Sequence, residues 1–308
     1  MLLFSGSSHP ALAQNIAECL ETKLAPLELD RFPDGEISLH IPQSVRGCDV
    51  FAIQTIALRP NEYLMELMLI LDALKRASAR HIVAVIPYFG YCRQDRKTKA
   101  RDPITAKLVA DMLTTAGAHH LLTMDLHAGQ LEGFFNIPVD HLQGMPVLVD
   151  SLQRLPLQNC VVVAPDIGAI KRARAYAKSL GTEFAVVAKQ RLSAQEVETL
   201  TVIGEIDGKD ILLADDMCST AGTLVSAAKA CREKGARRIF AVVTHGLLVG
   251  EALQHIENSP IEALYTSDTI PYQGRLAAST KVRPQSIAQS FAHAIRCITS
   301  QKPLFSVD

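Results

Sequence analysis

Short runs of branched aliphatic residues alternate with longer amphipathic segments along most of this chain, and no other feature restricts its fold as tightly. Strands joined through helices run parallel, and parallel strands covered on both faces read as nearly continuous apolar runs. The alternation therefore predicts an α/β fold with parallel sheets flanked by helices. Strands are expected at Asp49–Thr55, His81–Pro87, His119–Asp125, Cys160–Asp166, Glu183–Lys189, Asp210–Asp216 and Arg238–His245. Helices are expected at Asn61–Ala77, Pro103–Ala116, Ala169–Leu180, Thr220–Lys234 and Pro284–Thr299. Gly117 and Gly181 follow two of them, at the position where a left-handed residue ends a helix.

With 308 residues, nearly half of them apolar, the chain exceeds what one compact core usually holds, so two domains are expected. An internal echo supports two similar halves: "ARHIVAV" at Ala79–Val85 and "ARRIFAV" at Ala236–Val242 agree at five of seven positions. The predicted domains are residues 1–145, joined by the C-terminal segment 298–308, and residues 146–297. The change falls near Gly144–Leu157, which contains Pro146 and Pro156.

A net charge of −1 gives no basic excess for a phosphate backbone, which argues against a nucleic-acid partner. The start "MLLFSGSSHP" has no basic leader, and no run reaches the roughly eighteen apolar residues of a membrane span. A soluble, cytoplasmic protein is expected. Seven cysteines without C-x-x-C spacing suit packed thiols in a reducing compartment rather than a disulfide framework or a zinc site.

Chemistry concentrates where strands are expected to end. In "ILLADDMCSTAGTLVSAAKACREKGA" an apolar strand meets Asp215 and Asp216, then turns through Ser219, Thr220, Ala221, Gly222 and Thr223 into a helix. Ligands of open α/β sheets bind at such C-terminal strand ends, and the free amides of a helix start favour an anion. A phosphate fits the hydroxyl-rich turn. The two carboxylates fit sugar hydroxyls, a magnesium ion, or both, so the motif points to a ribose phosphate. It is neither a Walker A loop nor G-x-G-x-x-G. The loop "PYFGYCRQDRKTKARDP" carries Arg93, Arg96, Lys97, Lys99 and Arg101, five cations in nine residues, around Gln94 and Asp95. That density suits a polyphosphate, for which the arginine fork is well shaped. "MDLHAGQ" and "APDIGAIKRAR" put His127 and Asp166 at two further strand ends, which the sequence suggests are equivalent and neighbouring. Together they are candidates to share Mg²⁺.

The strings "RFPDGE", "VIPYFGYCRQDRK", "DPITAKLVADML", "DLHAGQLEGFF", "PDIG" and "DDMCSTAGT" occur in the order and spacing of ribose-phosphate pyrophosphokinases. The chain resembles that family over essentially its full length. The resemblance implies two type I phosphoribosyltransferase-like domains and transfer of the β,γ-diphosphate of ATP to ribose 5-phosphate, with Mg²⁺. It implies that Phe32 stacks on adenine while Asp34 and Glu36 bond the base, in a loop that reaches a neighbouring subunit. Arg93, Gln94, Asp95 and Arg96 would hold ATP. His127 and Asp166 would hold its magnesium, and Asp215 and Asp216 the ribose hydroxyls and a second magnesium. Ser219–Thr223 would cradle the 5-phosphate. Lys189 and Arg191 match the family's catalytic basic pair. The partners implied are ATP, ribose 5-phosphate and further copies of the chain, as a homodimer at least and, as in many members, a homohexamer built from dimers.

The chain departs from the family pattern in places. Ser219 stands where an aspartate is common, Ala221 where a glycine is, and Gln190 and Ser193 vary the basic loop. Arg46 and Gly47 match a regulatory turn and Ser300 is in place, whereas Lys302 replaces a family serine, so control by phosphate or ADP does not carry over directly. Two alternatives remain at this point: a phosphoribosyltransferase, and a catalytically silent relative that regulates an active synthetase.

Overall fold

The structure is a computed structural model and describes residues 1–190, 199–272 and 274–304. It divides into two compact units, Met1–Gln143 with Thr269–Pro271 and Ile287–Asp308, and Gly144–Asp268 with Tyr272–Ser286.

The first unit opens with strand β1 (Leu2–Ser5), helix α1 (Pro10–Cys19) and the hairpin strands β2 (Glu28–Arg31) and β3 (Ile37–His40). It continues through β4 (Asp49–Ile53), α2 (Pro60–Arg76), β5 (His81–Ile86), α3 (Thr105–Ala116), β6 (His120–Met124) and β7 (Val139–Leu142). The order β1-β4-β5-β6-β7 forms one parallel sheet, and β2 and β3 pair separately as an antiparallel ribbon. Ile82 through Ile86 are wholly buried, as residues covered from both faces must be. Prolines at the first turns of α1 and α2 cost no hydrogen bond, since the amides there lack helical partners. α3 ends at Gly117, with φ 125°.

The second unit contains α4 (Met145–Leu152), β8 (Val161–Ala164), α5 (Ile170–Leu180), β9 (Glu183–Gln190), β10 (Thr199–Ile203) and β11 (Asp210–Cys218). α6 (Gly222–Glu233), β12 (Arg238–Gly246), α7 (Ala252–Glu257), β13 (Ala263–Ser267) and β14 (Val282–Gln285) complete it. The sheet order is β10-β9-β8-β11-β12-β13-β14, parallel except for the β9–β10 edge pair. Leu224, Ala227, Ala228 and Cys231 of α6 with Ile256 of α7 cover one face, and Leu148, Ala173 and Tyr176 from α4 and α5 cover the other. Burying each large apolar side chain stabilises by about 1.5–3 kcal/mol, so the two-faced core dominates. α5 ends in Gly181 at φ 65° and ψ 36°, the left-handed cap expected there.

The chain then returns to the first unit as α8 (Ala288–Ser300). The sequence placed the return at 298, but it occurs at Ile287, because Phe291, Ala294 and Ile295 pack with Leu12 and Ile16 of α1 in the first core. The expected helix start at Pro284 also moves. Pro284 lies in the edge strand β14, where proline can sit because one side of an edge strand needs no ladder partner.

The repeated strings occupy equal places: β5 and β12 each follow the helix after β4 or β11 and pair with that strand. All seven cysteines are free thiols, four of them buried. Among the described residues, no helix is long and apolar enough to cross a membrane.

Candidate active site

Asp215 and Asp216 lie within β11, because the strand does not stop at the acids. Pairing with β12 continues through Met217 and Cys218, opposite His245 and Gly246, because β12 is long enough to extend the ladder. Asp215 is half-buried and Asp216 buried, and the Asp216 N–H donates to Asp215 Oδ1 at 2.8 Å. Burial and the adjacent Asp216 push the Asp215 carboxyl up to about 8, and Asp166 acts in the same direction. Two or three carboxylates that resist ionising together form a place where a cation is stabilising.

Beyond Cys218 the turn is fixed through its carbonyls. Leu248 N–H donates to Cys218 O at 3.0 Å, Val249 N–H to Ser219 O at 2.9 Å, and His255 Nδ1–H to Thr220 O at 3.1 Å. Ala221 adopts φ 67° and ψ 0°, the left-handed conformation glycine favours, with its methyl buried. α6 starts at Gly222, two residues later than expected, with no side-chain cap and no acidic residue in its first turn. Gly222 and Thr223 are exposed, and among the described residues outside α6 and its immediate neighbours only Thr220 Oγ1, at 3.9 Å, approaches the place of a Gly222 Cβ. The turn is an open helix start beside two acids.

Asp166 follows β8 and accepts a hydrogen bond from Ala169 N–H at 3.1 Å, which ties one of its oxygens to the start of α5. His127 follows β6 in the first unit and is exposed. The sequence suggested equivalent, neighbouring strand ends, but β6 and β8 belong to different sheets. By strand order β6 corresponds to β13, not to β8. The two matching short strings spanned only the β5 and β12 positions, which is why sequence alone misjudged this correspondence.

In the first unit the basic loop follows β5. Gly90 is required because a Cβ there would lie 2.5 Å from Ile56 O. Gln94 accepts from Ala106 N–H through its carbonyl and from Thr105 Oγ1 through its side chain, joining the loop to the start of α3. Asp95 Oδ2 accepts from Gln130 Nε2 at 3.0 Å, and Asp102 Oδ2 accepts from Thr98 N–H, Thr98 Oγ1 and Lys99 N–H. The Thr98 hydroxyl and the Lys99 amide hold the Asp102 carboxyl below its usual range. Arg93, Arg96, Lys97, Lys99 and Arg101 are all exposed, and among the described residues none of them makes an ion pair. The loop is braced by its acids and amides while its cations stay available.

"RFPDGE" forms the turn between β2 and β3. Gly35 N–H donates to Phe32 O at 2.8 Å, Glu36 N–H to Asp34 Oδ1 at 3.1 Å, and Arg31 pairs with Glu62. Phe32 is 53% exposed at the tip, where a packed aromatic would be covered. Lys189 lies on β9, its backbone opposite Leu200 of β10. Arg191 and Ser193 lie outside the described residues. Sequence reasoning passed over His141 of β7 and Glu132, which meet the His127 loop. A lone histidine inside a strand carried no signal that its partners would be this loop.

Two parallel α/β sheets whose C-terminal strand ends carry a cationic loop in one unit and a carboxylate–helix turn in the other define a phosphate-handling enzyme of the phosphoribosyl type. The chain belongs to the ribose-phosphate pyrophosphokinase family. Residues 1–117 match the N-terminal domain of ribose phosphate pyrophosphokinase, and residues 188–306 match the phosphoribosyl synthetase-associated domain. The chain is 50% identical over 294 residues to the ribose-phosphate pyrophosphokinase of Caldanaerobacter subterraneus subsp. tengcongensis, covering 95% of this chain and 93% of the relative. It is 46% identical over 306 residues to that of Vibrio parahaemolyticus, covering 99% and 98%. The crystal structure of phosphoribosylpyrophosphate synthetase from Mycobacterium smegmatis superposes with a TM-score of 0.93 at 36% identity, covering 97% of this chain and 99% of that one.

Proposed function

We propose that this chain transfers the β,γ-diphosphate of ATP to the 1-hydroxyl of ribose 5-phosphate, giving phosphoribosyl diphosphate and AMP for nucleotide biosynthesis. The observation that carries the reading is the end of β11, where a carboxylate pair precedes an uncapped, acid-free helix start. In this reading Asp215 and Asp216 receive the ribose hydroxyls, and the amides and hydroxyls of Ser219, Thr220, Ala221, Gly222 and Thr223 receive the 5-phosphate. Phe32 stacks on adenine, with Asp34 and Glu36 at the base edge. Arg93, Gln94, Asp95 and Arg96 hold ATP, the two arginines at its triphosphate, and Gln94 also ties the loop to α3.

Lys189 and Arg191 neutralise the negative charge that spreads over the transferring group. Phosphoryl-type transfer asks chiefly for alignment and charge stabilisation, so removing either cation costs several kcal/mol of barrier. No side chain is assigned as the base that accepts the sugar hydroxyl proton.

The donor set fits magnesium bound in the manner that ion prefers, through one or two carboxylates and otherwise waters and substrate oxygens. Among the described residues no group of three or more metal-ligating side chains is gathered. In this reading His127 and Asp166 would hold the magnesium of ATP and Asp215 and Asp216 a second one, and the ions would supply neutralisation of phosphate charge. The exposed Phe32 at the tip of the ribbon supports a site completed by a neighbouring copy, hence a homodimer at least, and the family resemblance extends this to a homohexamer built from dimers.

A ³¹P NMR time course with ATP, Mg²⁺ and ribose 5-phosphate tests the reading. Signals of phosphoribosyl diphosphate and AMP growing together are expected. Folded, assembled protein that gives neither would overturn it in favour of a silent regulatory relative.

A further inference from the structure

β6 and β7 pair in register as far as Met124 and Leu142, and Asp125 N–H still reaches Leu142 O at 3.0 Å. Asp125 then turns left-handed, at φ 40°, which swings the next amide out of the ladder. That amide, Leu126 N–H, donates instead to His141 Nε2 at 2.9 Å. An imidazole nitrogen that accepts carries no proton, so in the neutral ring the proton sits on Nδ1. His141 Nδ1 lies 2.6 Å from Glu132 Oε1, which accepts it. Glu132 belongs to the 3₁₀ turn Gly129–Phe134 that closes the same loop. One side chain on β7 thus holds both ends of the segment 126–132, with His127 between them.

His127, Gly129 and Gln130 are exposed, and among the described residues outside their own turn none lies within 4 Å of where a Cβ would stand on Gly129 or Gly133. Leu126 and Leu131 are its buried anchors, and the Gln130–Asp95 bond ties the turn to the basic loop. Between these two anchors the exposed residues gain order from hydrogen bonds, because fixing backbone costs conformational entropy.

We propose that His141, oriented by Glu132, is a positioning residue for the reaction: it clamps the 126–132 segment and so fixes where His127 meets the nucleotide. The inference rests on the role given to His127 above.

Hydrogen exchange and a double-mutant cycle test it. In the ligand-free protein, His141→Ala should raise amide exchange across 126–132 at least tenfold, while the melting temperature of the whole protein changes little. Turnover should fall about tenfold or more, with the KM for ribose 5-phosphate within twofold of the parent, because that substrate's turn follows β11 in the other unit. His141→Gln, which keeps an acceptor near the Nε2 position, should recover most of both properties. Glu132→Ala should give an intermediate loss. In a His127→Ala background, His141→Ala should add less than a twofold further loss, because its effect passes through His127. Unchanged exchange, or an undiminished loss in the His127→Ala background, would overturn the proposal. If His127→Ala alone kept near-normal turnover, the role of His127 would fall, whereas the exchange result would still decide whether His141 clamps the loop. Should His141→Ala fail to fold, the Gln and Glu132→Ala variants carry the same comparisons.

Discussion

Asp216 donates its backbone N–H to Oδ1 of Asp215 at 2.8 Å, which ties the Asp215 carboxylate to the backbone near the end of β11. Burial, Asp216 and Asp166 all disfavour the ionised form of Asp215. Asp215→Asn should therefore raise the melting temperature of metal-free protein by a few degrees while cutting turnover by about a hundredfold, the trade-off expected of a strained functional group. Thermal unfolding in EDTA beside steady-state kinetics checks both; a destabilised variant with normal turnover would contradict the assignment.

Ala221 sets strain against burial. Its left-handed backbone costs about 1–2 kcal/mol relative to glycine, and its buried methyl returns about 0.8 kcal/mol. Ala221→Gly should then unfold within about 1 kcal/mol of the parent. Ala221→Val should lose more than about 2 kcal/mol, since a β-branched residue suits that conformation least, and should raise the KM for ribose 5-phosphate. Urea melts and substrate titrations separate the two effects.

At the other end of β11, Asp210 is wholly covered and receives Arg237 Nε at 2.8 Å, Arg237 Nη2 at 2.6 Å and Gln158 N–H at 2.8 Å. Burial raises its pKa, but these bonds outweigh it and hold the carboxyl below the ordinary range. A depressed folded pKa gives stability that is present above the unfolded value, about 3.9, and is lost as pH falls through the folded value. Asp210→Asn should cost about 2 kcal/mol at pH 7, less than a fully buried pair because Arg237 is 40% exposed. The difference from the parent should shrink as denaturation midpoints are followed below pH 4.

Lys189→Ala and Arg191→Ala should each lower turnover by orders of magnitude while ATP affinity changes little, as expected of groups that act on the transferring charge. Near-normal turnover in both would show that the basic pair lies elsewhere.

Phe32→Ala should leave stability within about 0.5 kcal/mol, because an exposed side chain loses little packing, yet raise the KM for ATP several-fold. If the ribbon serves a neighbouring copy, mixing inactive Phe32→Ala/Asp34→Ala subunits with Lys189→Ala subunits should restore part of the activity. No recovery after verified subunit exchange would place each site within one copy.

Sequence alone determined the parallel α/β class and the identity of the loops that carry charge. Continuous apolar strands such as Ile82–Ile86 and the glycine caps at Gly117 and Gly181 are local requirements of strand burial and helix termination, so they are written in neighbouring residues. The order and spacing of six motifs likewise made the family legible. Tertiary structure decided what depends on distant partners. β11 runs past its acids because β12 is long enough to pair with it, α8 returns at Ile287 because its apolar face fits α1, and Ala221 takes a glycine's conformation because the turn around it is tied to Leu248 and Val249. His141 meets both Leu126 and Glu132 only because β7 lies beside β6. A side chain's partners across a sheet are set by strand order and register, and neither leaves a mark in the residues beside it.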